Sequence, residues 1–239
     1  MVNLVFVNAR AKALSSSLLG KDRLNRMLEC DGAEEALKIL YEVNFGGGLQ
    51  ISSAVDFERL IDVENVALNT FLRSYGMDEN IAKFFLLKND YHNAEAFIKC
   101  KHLKLEPTDM VIENGLIDAK ILKEKIYSDS YSGLSSFMAK ALIKCDQDFA
   151  SGKATGQTVN ATLVKAYYDE LFESAKKDVR LKKIFTFKVD AINIAVALRT
   201  RNFARAKDVF LPHGKIGEEL LKAISDQPLE SVSIKFIPS

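Results

Sequence analysis

The sequence predicts an all-α protein built from tandem helical modules related by an internal repeat. Three observations carry this. Only four prolines and twelve glycines occur in 239 residues, so little interrupts helix. Apolar residues recur at helical spacing along most of the chain. A stretch near position 90 also returns one hundred positions later. Asp90-Tyr-His-Asn93-Ala-Glu-Ala-Phe97-Ile98-Lys99 is answered by Asp190-Ala-Ile-Asn193-Ile-Ala-Val-Ala-Leu198-Arg199. At that offset the 38 positions from Glu64 to Lys101 hold seven identities, and Ile81/Leu181, Phe84/Ile184 and Lys99/Arg199 keep their character. Downstream, one residue slipped, Asn114-Gly115-Leu-Ile117 faces His213-Gly214-Lys-Ile216. A repeat of this length suggests helical modules packed side by side.

The elements follow in order. Leu4 to Leu19 reads as helix, with Gly20 as its stop. Lys21 to Glu29 follows, with Leu24, Met27 and Leu28 on one face. Asp31 is placed to cap the next helix, with Glu34 as capping-box partner, and that helix runs to about Val43. Asn44-Phe-Gly-Gly-Gly48 breaks it and reads as a flexible connector. Asp56 to Ser74 is amphipathic, with Phe57, Leu60, Ile61, Leu68, Phe71, Leu72 and Tyr75 in i, i+3, i+4 rhythm, and Gly76 ends it. Ile81 to Leu87 and Asp90 to Lys101 form two helices or one bent one. Pro107 and Asn114-Gly115 mark a connector, and Asp118 to Ile126 is a short helix.

The polar run Ser128 to Ser132 is the module boundary, giving a first module over 1–128 and a second over 129–239. In the second, a helix starts at Ser132 or Ser135 and runs to about Phe149. Thr155 to Thr158 is a capped loop, and a long helix reaches about Lys177. Arg180 to Phe203 repeats the bent element. Leu211-Pro-His-Gly214 is a turn and Gly217 to Ile224 a short helix. Ser231 to Ile237 is open between strand and helix.

Composition narrows the chemistry. Net charge is +1 and charged residues make up 27%, so no polyanion partner follows from charge. The basic runs Lys99–Lys104 and Arg199–Arg205 would need aromatic platforms and a basic total to bind nucleic acid, whereas the overall balance is neutral and the aromatics sit at core spacing; cations at helix C-termini also answer the macrodipole. Cys30, Cys100 and Cys145 are odd in number and widely spaced, which argues for reduced thiols in a cytosolic setting. No signal peptide is read at the N-terminus, and the apolar run Ala191 to Leu198 is too short to span a bilayer. No phosphate loop and no nucleophile elbow occurs. Gly46-Gly-Gly48 follows no strand, so it is not a dinucleotide site. His92, His102 and His213 lack metal-ligand spacing, and Cys100 and His102, two apart on a helix, do not face each other. No catalytic, cofactor-binding or metal residue is assigned.

Asp90/Asn93 and Asp190/Asn193 are the residues to weigh. Spaced i, i+3, each pair projects from one helical face. One reading is a carboxylate–amide binding site. The other is structural: the Asp caps or bonds backbone and the Asn bridges helices. Recurrence favours the structural reading, because one packing solution is copied more readily than one active site. Asp90, Asn93, Asp190, Asn193, Gly115 and Gly214 are accordingly assigned as a structural repeat motif.

These residues also carry a resemblance. Asn8-Ala-Arg10-Ala-Lys-Ala-Leu14 with Ser15 to Leu19, Lys88-Asn-Asp90-Tyr-His-Asn93, its echo from Asp190 to Arg199, and Leu211-Pro-His-Gly214-Lys-Ile216 are similar to the central-stalk subunit of V-type and A-type rotary ATPases. That subunit is called C in archaeal and bacterial enzymes and d in eukaryotic ones. The resemblance spans nearly the whole chain. It implies a funnel-like helical bundle without catalysis or cofactors of its own, which links the central shaft to the membrane rotor ring for ion transport. It implies partners in the shaft and ring, no nucleic acid, no direct membrane insertion, and a cytoplasmic place peripheral to the membrane. Members of that family usually carry three modules, and two Asp-x-x-Asn copies are found here. A second reading is a free-standing helical scaffold that shares the fold without the ATPase. A third, a hydrolase, requires a perturbed carboxylate in a closed pocket near Asp90 or Asp190.

Overall fold

A computed structural model of the chain describes residues 4–16, 18–74, 79–107 and 110–228. These residues fold as α-helices and connectors, with no strand among them. Packing divides the chain into two compact units, Met1–Ala82 and Lys83–Ser239.

The first unit holds α1 (Leu4–Ser15), α2 (Gly20–Leu28), α3 (Ala33–Glu42), a 3-10 turn (Ala54–Asp56) and α4 (Phe57–Ser74). Asp31 does not cap α3. Gly32 takes the N-cap in an extended conformation without a side-chain cap, while the Asp31 N–H donates to Glu35 at 3.3 Å. Glu34 instead accepts from the Ala54 N–H at 2.9 Å, which ties α3 to the 3-10 turn. Arg26 pairs with both carboxylate oxygens of Glu42 at 3.0 and 2.9 Å, joining α2 to α3.

The glycine run is a built turn, not a loose connector. Asn44, Gly46, Gly47 and Gly48 all have positive φ, a path glycine follows without the Cβ clash other residues meet. The Gly46 N–H donates to Glu64 on α4 at 2.7 Å, and a Cβ at position 46 would stand 2.5 Å from Leu60 Cδ2. On α4, Leu60 and Leu72 are buried, whereas Phe57, Ile61 and Leu68 of the predicted stripe stay exposed. Tyr75, Gly76 and Ser231 to Ile237 lie outside the described residues.

The helices of the second unit are α5 (Glu79–Leu103, from Lys83 onward), α6 (Ala119–Tyr127), α7 (Ser136–Ala150), α8 (Gly156–Ser174), α9 (Val179–Thr200), α10 (Phe203–Ala206) and α11 (Glu218–Asp226). α5 and α9 are each one unbroken helix. Side chains set the helix starts. Asp118 accepts from the N–H groups of Lys120 and Ile121 at α6, and Ser135 from Met138 at α7. Thr155 and Thr158 form a reciprocal capping box at α8, and Asp178 accepts from Arg180 and Leu181 at α9. Each satisfies donors the helix leaves open.

The main core joins α5 through α9: Phe97, Ile98, Leu122, Ile126, Met138, Leu142, Leu163, Leu171 and Phe185 are almost fully buried. Each contributes about 1.5–3 kcal/mol by leaving water. A smaller cluster packs Ala197 of α9 against Ala223 and Ile224 of α11.

Candidate functional site

The Asp-x-x-Asn pairs sit at the same place in their helices and make closely matched bonds. Asp90 and Asn93 are fully buried on α5. Asn93 donates through Nδ2 to the Ile112 carbonyl at 2.7 Å and accepts the Ile112 N–H through Oδ1 at 2.9 Å. Asp90 accepts the N–H groups of Leu116 and Ile117 at 3.1 and 3.0 Å. On α9, Asn193 donates to the Leu211 carbonyl at 3.0 Å and accepts its N–H at 2.8 Å. Asp190 accepts the N–H groups of Lys215 and Ile216 at 2.8 and 3.1 Å.

In each case the Asn holds the middle of a connector and the Asp holds its end. The next helix, α6 or α11, begins a residue or two later. Gly115 and Gly214 are required at the close approach: a Cβ there would lie 2.0 Å from Asp90 Oδ1 and 2.5 Å from Asp190 Oδ1. The Asn side chains clamp connector backbone instead of bridging two helices.

This geometry bears on chemistry. The amide of each Asn exchanges two bonds with the N–H and C=O of a single residue. The carboxylates spend their oxygens on backbone N–H groups, which leaves them poorly placed to attack or to move a proton. Among the described residues no cluster of three His, Cys, Asp or Glu side chains is arranged to hold a metal ion. A groove of about 640 Å³ runs along α7, α8 and α10, and neither Asp-x-x-Asn pair lines it. Two of its three carboxylates are paired: Asp148 with Lys144 at 2.9 Å, and Asp169 with His213 at 2.7 Å; the third is Asp208.

Two polar networks join distant positions. Glu170, buried on α8, accepts from Tyr91 at 2.9 Å and from Ser135 at 2.5 Å. Burial, together with the neighbouring Glu170 charge, pushes the Tyr91 hydroxyl well above its usual range. The second network centres on Asp146, which meets Tyr131, His102 at 2.7 Å and Lys101 at 3.1 Å. Burial works to raise its pKa, but the bonds from Tyr131, His102 and Lys101 outweigh that and hold it below the ordinary 3.8. His102 also stacks on Phe149, with ring centroids 4.0 Å apart. Sequence spacing carries no signal for partners 44 or 79 residues apart. His92, also on α5, meets the Met110 carbonyl at 2.8 Å.

The family model for the ATP synthase (C/AC39) subunit matches residues 7–237. The chain belongs to that family. It is a family of accessory V-type ATP synthase subunits without a catalytic site of their own. Among its similar relatives are the C subunits of the V-type ATP synthase from two strains of Thermus thermophilus. Each is 24% identical over 228 residues, covering 87% of this chain and 67% of its own length. Among the described residues of this C/AC39 chain, no helix is long and apolar enough to cross a membrane.

Proposed function

We propose that the chain is a non-catalytic coupling subunit of a V/A-type rotary ATPase. It links the central rotor shaft to the membrane rotor ring for ion transport and lies on the cytoplasmic side, peripheral to the membrane through protein contacts. Family membership supports the assignment to such an ATPase. The observation that carries the mechanical part is the double clamp. Asp90 with Asn93, and Asp190 with Asn193, tie connector to helix at two points each through buried or half-buried bonds. Such bonds resist shear because breaking them leaves polar groups unpaired. A part that passes torque between partners needs stiffness of this kind and no reactive group.

On this reading the two clamps are copies of one module, over 1–128 and 129–239. Asp90, Asn93, Asp190, Asn193, Gly115 and Gly214 are its repeated structural motif. The one-residue slip supports this: Ile112 lies 19 positions after Asn93, and Leu211 lies 18 after Asn193. The test is tagged purification from membranes that hold the ATPase. Shaft and ring subunits are expected to come with the chain in fixed ratio. A chain that binds neither overturns the proposal in favour of a free-standing scaffold.

A further inference from the structure

α5 and α9 invite a comparison at the hundred-residue offset. On α5, the face of Phe84, Leu87, Tyr91, Glu95 and Ile98 is covered. Leu87, Tyr91 and Ile98 are 3%, 4% and 0% exposed. From Tyr91 onward the cover is the helix pair α7–α8: Tyr91 bonds Glu170 and packs on Tyr167 at 5.7 Å, Glu95 takes a bond from Asn160, and Lys101 and His102 meet Asp146. Phe84 instead stacks on Phe185 of α9 at 5.7 Å, with the Lys188 ammonium 4.7 Å from its ring. The same positions on α9 are Ile184, Phe187, Ala191, Ala195 and Leu198, within one stripe of helix surface. Phe187 is 74% and Leu198 37% exposed, and Ile184 and Ala191 are exposed with them.

The rim of this stripe is basic. Arg180, Lys183, Lys188 and Arg199 are all exposed. On α5, Lys99 pairs with Glu95 of its own helix at 2.5 Å; on α9 the position of Glu95 is Ala195, so Arg199 has no carboxylate four residues back. The α7–α8 pair supplies its own carboxylates, Glu170 and Asp146, to the face it covers. A second copy of the chain seated by its own α9 would bring like charges together at the rim, which disfavours pairing.

We propose that the outer face of α9 is a docking surface for an antiparallel helix pair of another polypeptide, apolar along its seam and acidic along its flanks. The partner takes the place on α9 that α7–α8 takes on α5. Ile184, Phe187, Ala191 and Leu198 supply the apolar seat, and Lys183, Lys188 and Arg199 meet the carboxylates. The proposal rests on the repeat and on membership of an ATPase assembly, and names which surface of the chain is used there.

The test is thiol labelling of Phe187→Cys in a Cys30→Ser background, in the isolated chain and in the assembled ATPase. Phe187 is mostly exposed, so its replacement leaves the core intact. Maleimide is expected to react at position 187 at least tenfold more slowly in the assembly. Carbodiimide coupling is then expected to join Lys183 or Lys188 to a carboxylate of a different polypeptide, in a segment of helical pattern. A chain present in the assembly with unchanged labelling overturns this inference and leaves the coupling role standing. A chain absent from the assembly removes both. Coupling to another copy of the chain, or equal protection by phosphatidylglycerol vesicles alone, also overturns it.

Discussion

Replacing Gly115 by alanine tests the clamp at its tightest point. The added Cβ would stand 2.0 Å from Asp90 Oδ1, where ordinary contact begins near 3.4 Å. Connector or carboxylate must shift by more than 1 Å, by roughly the difference between these distances. That oxygen accepts the Ile117 N–H at 3.0 Å, and such a shift breaks the bond. Losing a buried bond to an ionised acceptor costs about 1.5–3 kcal/mol, and forcing the backbone aside costs about 1–3 kcal/mol more. The sum, about 2.5–6 kcal/mol, is a large share of the roughly 5–15 kcal/mol that holds a domain folded. With a urea slope of about 2 kcal/mol/M, the unfolding midpoint falls by roughly 1.3–3 M. Gly214→Ala is expected to cost less, because its Cβ would lie at 2.5 Å and Asp190 is only half-buried. Gly156→Ala is the control: nothing lies within 4 Å of its Cβ, it starts α8, and the change is expected to be neutral or stabilising by up to about 1 kcal/mol. The assay is helical circular dichroism against urea. A Gly115→Ala midpoint within about 0.3 M of the parent would refute the reasoning.

Other expectations follow from the buried networks. Tyr91→Phe leaves the buried Glu170 with one hydroxyl partner fewer and costs about 1.5–3 kcal/mol, read as a melting temperature lower by about 4–8 °C; an unchanged value would show that the bond adds nothing. Asp146 is held below the ordinary aspartate pKa, so its contribution is present above about pH 4 and lost as pH falls through its depressed folded value. The stability gap between parent and Asp146→Asn, measured by urea midpoints, is expected to narrow from pH 6 to pH 3; a constant gap counts against this. Burial pushes the Cys145 thiol up to about 12, and Cys100 is buried, whereas Cys30 is half-buried. One thiol per native chain is therefore expected to react quickly with a disulfide reagent and all three after unfolding. Thr155→Ala removes the α8 capping box and is expected to cost about 1 kcal/mol, seen in the same urea assay.

Much of the fold was legible because helix signals are local. Few prolines, i, i+3, i+4 spacing and capping residues such as Ser135 and Thr155 act within one or two turns. α7 and α8 begin beside them. Asp31 has the right spacing for a cap, but Glu34 is drawn to Ala54 and Glu35 takes the Asp31 N–H. The first competition is decided by backbone twenty residues away, the second within a single turn. Asn44 to Gly48 has the composition of a flexible link, and Glu64 and Leu60, far along the chain, make it a fixed turn.

The sequence by itself determined that this chain is helical, that Asp90-x-x-Asn93 returns at Asp190-x-x-Asn193, and that no motif for nucleotide, metal or nucleophile is present. Periodicity and motif spacing are properties of neighbours along the chain. Only the tertiary structure decided what those Asp and Asn side chains hold. Their partners, from Ile112 to Ile117 and from Leu211 to Ile216, are backbone groups that look alike in every residue, and which of them a buried carboxylate meets depends on how the connector folds back. It also decided that Leu87 and Ile98 are covered while Phe187 and Leu198 are not, since two apolar residues of the same helical pattern differ only in what lies across from them.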